Sequence, residues 1–180
     1  MSGHHTRLHW CSRQHCVSSR LNSQKKSWLF DPGSLTARLI KSCDGEFSVK
    51  VLSVKRATPT PDEIAVLGLK PRSQSLIRQV LLYCNDIPVV YARTIIPVSS
   101  LRSELRGLVR LGNRPLGAVL FADKSMRREP MEITRVKAGH TCYEWTGCTG
   151  TEVIWGRRSV FRLKGQKLLV SEFFLPDLFV

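Results

Sequence analysis

The sequence predicts an α+β domain built on a single antiparallel sheet of about six strands, with helices covering one face. Three observations carry this reading. Segments that alternate apolar and polar residues are joined to one another by tight turns, and strands joined by hairpins run antiparallel. Segments with helical spacing lie clustered between the strands. No apolar run approaches the ~18 residues of a bilayer span, and no internal repeat is present.

At 180 residues the chain has the size of one domain, or of one domain with a tail. Residues 1–26 are polar, basic and rich in Ser, His and Cys without a period, which reads as a poorly ordered extension; the domain is expected over residues 27–180, with order starting near Trp28. Ser34 can cap a helix carrying Leu35 and Leu39 one turn apart, and Gly45 then breaks the chain. Phe47, Val49 and Val51 alternate with Ser48, Lys50 and Leu52 as a strand does, and Thr58 to Glu63 reads as loop. A strand over 75–84, a turn at Asn85-Asp86 and a return over 88–96 form the clearest hairpin. Pro97 ends it. Ser99 or Ser100 can cap a helix with Leu101, Leu105 and Leu108 on one face, stopped by Gly112, and Pro115 suits the first position of a short second helix. Residues 131–136 alternate again, and 139–152 read as an extra hairpin or loop. A last hairpin turns at Gly165-Gln166 and ends at Pro176.

Lys plus Arg number 28 and Asp plus Glu 14, a formal balance of +14. Such a charge attracts anions, whether nucleic acid, anionic lipid or a small carboxylate or phosphate, and net charge alone does not choose. No aromatic residues interleave with a basic stripe, as single-strand readers need. Six cysteines contain no C-x-x-C pair, so zinc-knuckle spacing is absent. His4, His5, His9 and His15 crowd Cys11 and Cys16, which reads as a loose tail rather than a metal site. No apolar signal segment opens the chain, so a cytoplasmic protein with its cysteines as reduced thiols is expected. Neither G-x-G-x-x-G after a strand, nor G-x-x-x-x-G-K-[ST], nor H-E-x-x-H occurs, so chemistry without metal or bound cofactor is expected.

Strand parity carries the most information. Leu76, Arg78, Val80 and Leu82 share a face, as do Leu168, Val170, Glu172 and Phe174, and Arg93 shares one with Val89, Tyr91 and Ile95. A charge in a buried row needs a partner. Arg78 and Glu172 could pair with each other, or their rows could face solvent. In a pocket, Arg78 would instead bind a carboxylate through its planar fork, and Glu172 would accept a hydrogen bond from a ligand hydroxyl.

From about Trp28 to Pro176 the chain resembles the chorismate pyruvate-lyase (chorismate lyase) family. The resemblance rests on five strings in order: Leu76-Ile-Arg-Gln-Val-Leu-Leu, Ala92-Arg-Thr-Ile-Ile-Pro-Val-Ser, Arg114-Pro-Leu-Gly with Leu120-Phe121, Trp155-Gly-Arg-Arg-Ser, and Leu168-Leu-Val-Ser-Glu-Phe-Phe-Leu-Pro. It implies helical flaps over an internal cavity, and removal of pyruvate from chorismate to give 4-hydroxybenzoate, the aromatic precursor of ubiquinone, without cofactor. It further implies that Arg78 binds a ligand carboxylate, Glu172 meets the ring hydroxyl, and Leu116 lines the cavity. Leu35 stands where relatives often carry Met, a volume-conserving exchange. The partners so implied are chorismate and 4-hydroxybenzoate; no nucleic acid, no stable membrane insertion and a monomeric state are expected. The stretch holding Cys142 and Cys148 is longer than the family pattern, and is expected as a peripheral loop or hairpin without metal. The alternative is a non-catalytic effector-binding domain like those of GntR-type regulators, which share the fold by resemblance; the residues before Trp28 are too few and too polar for such a regulator's winged helix-turn-helix.

Overall fold

The computed structural model describes residues 7–12, 15, 21–102 and 104–179. In chain order the elements are strand β1 (Cys11–Ser12), helices α1 (Ser23–Leu29) and α2 (Leu35–Ser42), strand β2 (Phe47–Ala57), helix α3 (Pro61–Leu67), and strands β3 (Ser75–Cys84) and β4 (Ile87–Pro97). Two 3-10 turns (Val98–Arg102 and Glu104–Arg110) lead to helix α4 (Leu116–Ala122), strands β5 (Arg127–Arg128) and β6 (Glu132–Val136), and helix α5 (Thr141–Trp145). Strands β7 (Ile154–Leu163) and β8 (Gln166–Phe174) and a 3-10 turn (Pro176–Phe179) close the chain. The sheet runs β1-β6-β7-β8-β4-β3-β2, with β5 added to β7, and every pairing is antiparallel. Six strands have five residues or more, the expected number; β1 and β5 have two residues each. Among the described residues no helix is long and apolar enough to cross a membrane.

The central hairpin forms where the alternation predicts it. Asn85 takes the left-handed conformation (φ 53°) that its short polar side chain tolerates. Its Oδ1 accepts from the Glu46 amide, and its own amide donates to the Glu46 carbonyl, which ties the β3–β4 turn to the start of β2. Gly45 (φ 152°) lies under this contact, and a Cβ there would meet Asn85 Oδ1, so no other residue fits the break. The same register places Cys84 opposite Phe47 and brings it to Cys43 just past α2, where the two form a disulfide with Cα atoms 5.6 Å apart. Cys11 is disulfide-bonded as well, leaving Cys142 and Cys148 as the free thiols among the described residues. This corrects the expectation of reduced thiols. Strand register creates the Cys43–Cys84 pair, and a spacing of 41 residues without a motif gives no sign of it. Closing a loop of that length is worth about 4 kcal/mol in chain entropy.

The two faces of the sheet are covered differently. On one, α1, α2, the 3-10 turns and α4 lie over the row holding Leu76, Val80, Leu82, Leu168, Val170 and Phe174. Ser34 caps α2 by accepting from the Ala37 amide, and Leu35 and Leu39 point inward, as predicted. The leucines at 101, 105 and 108 are buried as expected, but their backbone winds as 3-10 turns rather than as an α-helix. Gly107 in this segment costs about 1 kcal/mol of helical preference, so side-chain packing decides the winding.

The other face carries two helices that the sequence reading took for loop. Thr60-Pro-Asp-Glu is a capping box with proline at the first turn, and it opens α3. His140 Nδ1 accepts from the Cys142 amide and starts α5, so the expected hairpin or loop at 139–152 is corrected to a short helix packed through Cys142 and Tyr143 on Tyr91 and Phe173. Ordered contacts also begin before Trp28: β1 pairs with β6, and Leu21 is buried beside α1. His4, His5 and Cys16 lie outside the described residues, and the metal alternative for them with it.

The parity puzzle of Arg93 resolves on this second face. Its guanidinium grips Glu63 of α3 with two bonds, Nε to Oε1 at 2.7 Å and Nη2 to Oε2 at 3.1 Å, and packs over the Trp145 ring at 4.6 Å. Both side chains are buried. Glu63→Ala should therefore cost about 3–5 kcal/mol in urea unfolding, because it strands a buried cation, whereas Glu63→Leu combined with Arg93→Met should lose much less. On the same face, burial pushes the Cys142 thiol up to about 12. Iodoacetamide at pH 8 should modify half-exposed Cys148 in the native protein and Cys142 only after unfolding, as peptide mass analysis would show.

Candidate functional site

A cavity lies between the sheet and the α2/α4 cover, with about 560 Å³ of space free of protein atoms, part of it open to solvent. All four residues singled out in the sequence line it: Leu35 from α2, Arg78 from β3, Leu116 from α4 and Glu172 from β8. The alternation of β3 and β8 turns Arg78 and Glu172 to the same side as Val80, Leu82 and Val170. The two covering helices touch at Gly117, where a Cβ would sit 2.9 Å from Thr36 Oγ1 and 3.3 Å from Ser34 Oγ. Glycine at this position lets α2 and α4 pack this closely.

Arg78 and Glu172 do not pair with each other. Arg78 Nη2 donates to the carbonyls of Gly112 (3.0 Å) and Arg114 (3.2 Å), while Nε is buried without a hydrogen-bond partner. It forms no ion pair among the described residues. Burial alone pulls its pKa below the ordinary arginine value. Glu172 instead accepts from Arg157 Nε at 2.6 Å through Oε2, and its side chain keeps 16% exposure toward the cavity. Arg157 Nη1 reaches the carbonyls of Trp28 (3.0 Å) and Asp31 (2.9 Å), so this buried guanidinium joins β7 to the chain between α1 and α2.

Sequence reasoning missed two arginines of this cavity. Arg157 stood inside a quoted string, and parity with Trp155, Ser159 and Phe161 could have found it. Gly156 beside it is required by packing, since a Cβ there would lie 2.7 Å from Phe173 Cδ1. Arg128 sits on a two-residue strand too short to show a period. Its Nε donates to Ser159 Oγ at 2.9 Å, its Nη1 to the Pro32 carbonyl at 3.3 Å, and its Cζ lies 5.2 Å from the Phe161 ring centre. Burial lowers its pKa, with Glu172 opposing that shift.

Three guanidinium groups face one carboxylate here, which leaves two positive charges uncompensated among apolar walls. That arrangement suits a small organic dianion carrying a hydrogen-bond donor for Glu172. A larger cleft on the opposite face, bordered by Trp10 and Trp145, has its buried cation Arg93 satisfied by Glu63, and Arg158, stacked on Trp10, is paired with Asp62 and Glu132. Among the described residues no three His, Cys, Asp or Glu side chains gather as a metal site would require.

A family model described as "Chorismate lyase" matches residues 7–180. A "Probable chorismate pyruvate-lyase" of Nitrosospira multiformis is 38% identical over 168 residues, covering 91% of this chain and 93% of the relative. One of Azoarcus sp. (strain BH72) is 41% identical over 177 residues, covering 93% and 90%. Among solved structures, the effector domain of PhnF from Mycobacterium smegmatis superimposes with a TM-score of 0.59 at 14% identity, over 81% of this chain and 90% of that one. At that identity the likeness concerns the fold alone.

Because Arg157 bonds one carboxylate and two carbonyls from a fully buried position, its replacement tests the core of the site. Arg157→Met should destabilise by about 3–5 kcal/mol in urea unfolding, since Glu172 and two carbonyls lose their donor. Arg157→Lys should recover less than half of that, because an ammonium cannot reach all three acceptors from one plane.

Proposed function

The chain belongs to the chorismate lyase family, and from that premise we propose that it is a carbon–oxygen lyase that converts chorismate to 4-hydroxybenzoate and pyruvate in the cavity beneath α2 and α4. The observation that carries this reading is the cavity's charge: a buried Arg78 with an open Nε, and a carboxylate fixed by Arg157 across from it. Chorismate is a dianion with a ring carboxylate, a hydroxyl para to it and an enolpyruvyl ether beside the hydroxyl. Arg78 binds the ring carboxylate. Glu172, its Oε2 held by Arg157, offers Oε1 to the ring hydroxyl. Leu35 and Leu116 pack on the ring from the two flaps.

The reaction breaks the bond between ring C3 and the ether oxygen. That bonding pair leaves with the oxygen, which becomes the pyruvate carbonyl. The hydrogen at C4 ends on the enol methylene, which becomes the pyruvate methyl, and the C4–H pair completes the aromatic ring. The protein's part is to hold the reactive conformer, exclude water and oppose the charge that develops at the departing oxygen. Leu35, Arg78, Leu116 and Glu172 all come from one chain, which supports action as a monomer. The product is a ubiquinone precursor. Regulator effector domains share the fold only, and no observation in the cavity favours a sensor without turnover.

Incubation with chorismate in the presence of EDTA should yield 4-hydroxybenzoate and pyruvate in equal amounts by chromatography; no yield above the spontaneous rate overturns the reading. Arg78→Ala should lower kcat/KM by about 10- to 100-fold with the fold intact, and Arg78→Lys should recover little. Glu172→Gln should lower kcat about tenfold or more, with a smaller change in Tm. A large loss of stability with kcat intact would return Glu172 to a purely structural role.

A further inference from the structure

We infer that Arg128 binds the enolpyruvyl carboxylate, and so distinguishes the substrate from the aromatic product. The inference rests on the lyase reading above and extends it to the second charge of the substrate. Arg157 and Glu172 neutralise each other at 2.6 Å, which leaves Arg78 and Arg128 as the cavity's two cations without a carboxylate among the described residues. The aromatic product carries one carboxylate, and Arg78 suffices for it. A second unpaired guanidinium on an apolar cavity wall needs a second anion, and only the substrate brings one.

The sheet order places this cation where that anion falls. Across the sheet the residues follow as Arg78 on β3, then β4, Glu172 on β8, Arg157 on β7 and Arg128 on β5. Neighbouring strands lie about 4.8 Å apart, so across the sheet the strand of Glu172 stands roughly 10 Å from each cation's strand, between the two. Along the strands, the bond from Arg128 Nε to Ser159 Oγ brings that guanidinium back to the row of Arg78, which runs through Thr94, Val170 and Ser159 next to the inward-facing row of Glu172. With the ring carboxylate on Arg78 and the para hydroxyl on Glu172, the ether at the neighbouring carbon starts beside Glu172. Its carboxylate then extends away from Arg78, toward Arg128. Arg128 is held ready for it: Ser159 Oγ takes Nε, the Pro32 carbonyl takes Nη1, and Nη2 has no partner among the described residues. A cation there also faces the oxygen that departs with the pyruvyl group, where negative charge grows as the bond breaks.

The test compares a dianion with a monoanion. By calorimetry, Arg128→Ala should weaken binding of the unreactive aromatic ether 3-(1-carboxyvinyloxy)-4-hydroxybenzoate by about 10- to 100-fold and leave 4-hydroxybenzoate within about twofold, whereas Arg78→Ala should weaken both. Chorismate kcat/KM should fall in parallel with dianion affinity, and Arg128→Lys, which keeps the charge, should restore part of both. Arg128 also holds Pro32, so a purely structural strap is the rival reading. Equal loss of the two ligands, or loss of neither, would overturn the assignment, and Arg128→Gln gives the same comparison if the alanine variant fails to fold. Wild-type protein that forms no 4-hydroxybenzoate would sink the lyase reading, while the binding comparison still judges Arg128 by itself.

Discussion

Arg157 is a guanidinium with a side chain 1% exposed, and the arrangement of the cavity depends on where its donors go. A charge so far from water is costly unless its donors meet acceptors. The acceptors are Glu172 on the next strand, the Trp28 carbonyl at the end of α1 and the Asp31 carbonyl between α1 and α2. One buried cation thereby fixes the cavity's carboxylate and the edge of its cover together. The register sets Ala92, Glu172 and Arg157 in one row across β4, β8 and β7. Arg78 stands two strands and two residues away from Glu172, too far to compete for it, and its Nε has no hydrogen-bond partner among the described residues.

The opposite face answers the same electrostatic demand in another way. Arg93 is as deeply buried as Arg78, yet a capping box opens α3 beside it and supplies Glu63. The pair is bidentate, stacked on Trp145 and internally complete. Both arginines sit at apolar parity in neighbouring strands of one hairpin. What separates the ion-paired charge from the one without a carboxylate is the element folded above it. α3 carries a carboxylate to Arg93, whereas the cover of Arg78 offers backbone carbonyls and leucines.

The regulator effector domain that shares this architecture does so at 14% identity, which separates fold from chemistry. An antiparallel sheet with helices over one face provides a cavity floor and a cover. What distinguishes this cavity is four charged side chains on four strands, Arg78, Arg128, Arg157 and Glu172, together with the glycine that lets α2 meet α4.

The local pattern carried much of this protein by itself. Alternation and turn residues located the central and final hairpins, Ser34 marked the start of α2, and parity exposed Arg78, Arg93 and Glu172 as charges in apolar rows. Such features are legible because they depend on neighbours within a few residues. The capping box of α3 was legible in the same way, and its prolines hid it. Partnership was not legible. Glu63 meets Arg93 across 30 residues, Arg157 meets the Trp28 carbonyl across 129, and Cys43 meets Cys84 across 41. Each of these contacts is decided by strand register and by which helix lands on which face. Those depend on the whole chain packing at once, so sequence determined which residues needed partners, and only the tertiary structure decided which of them found one.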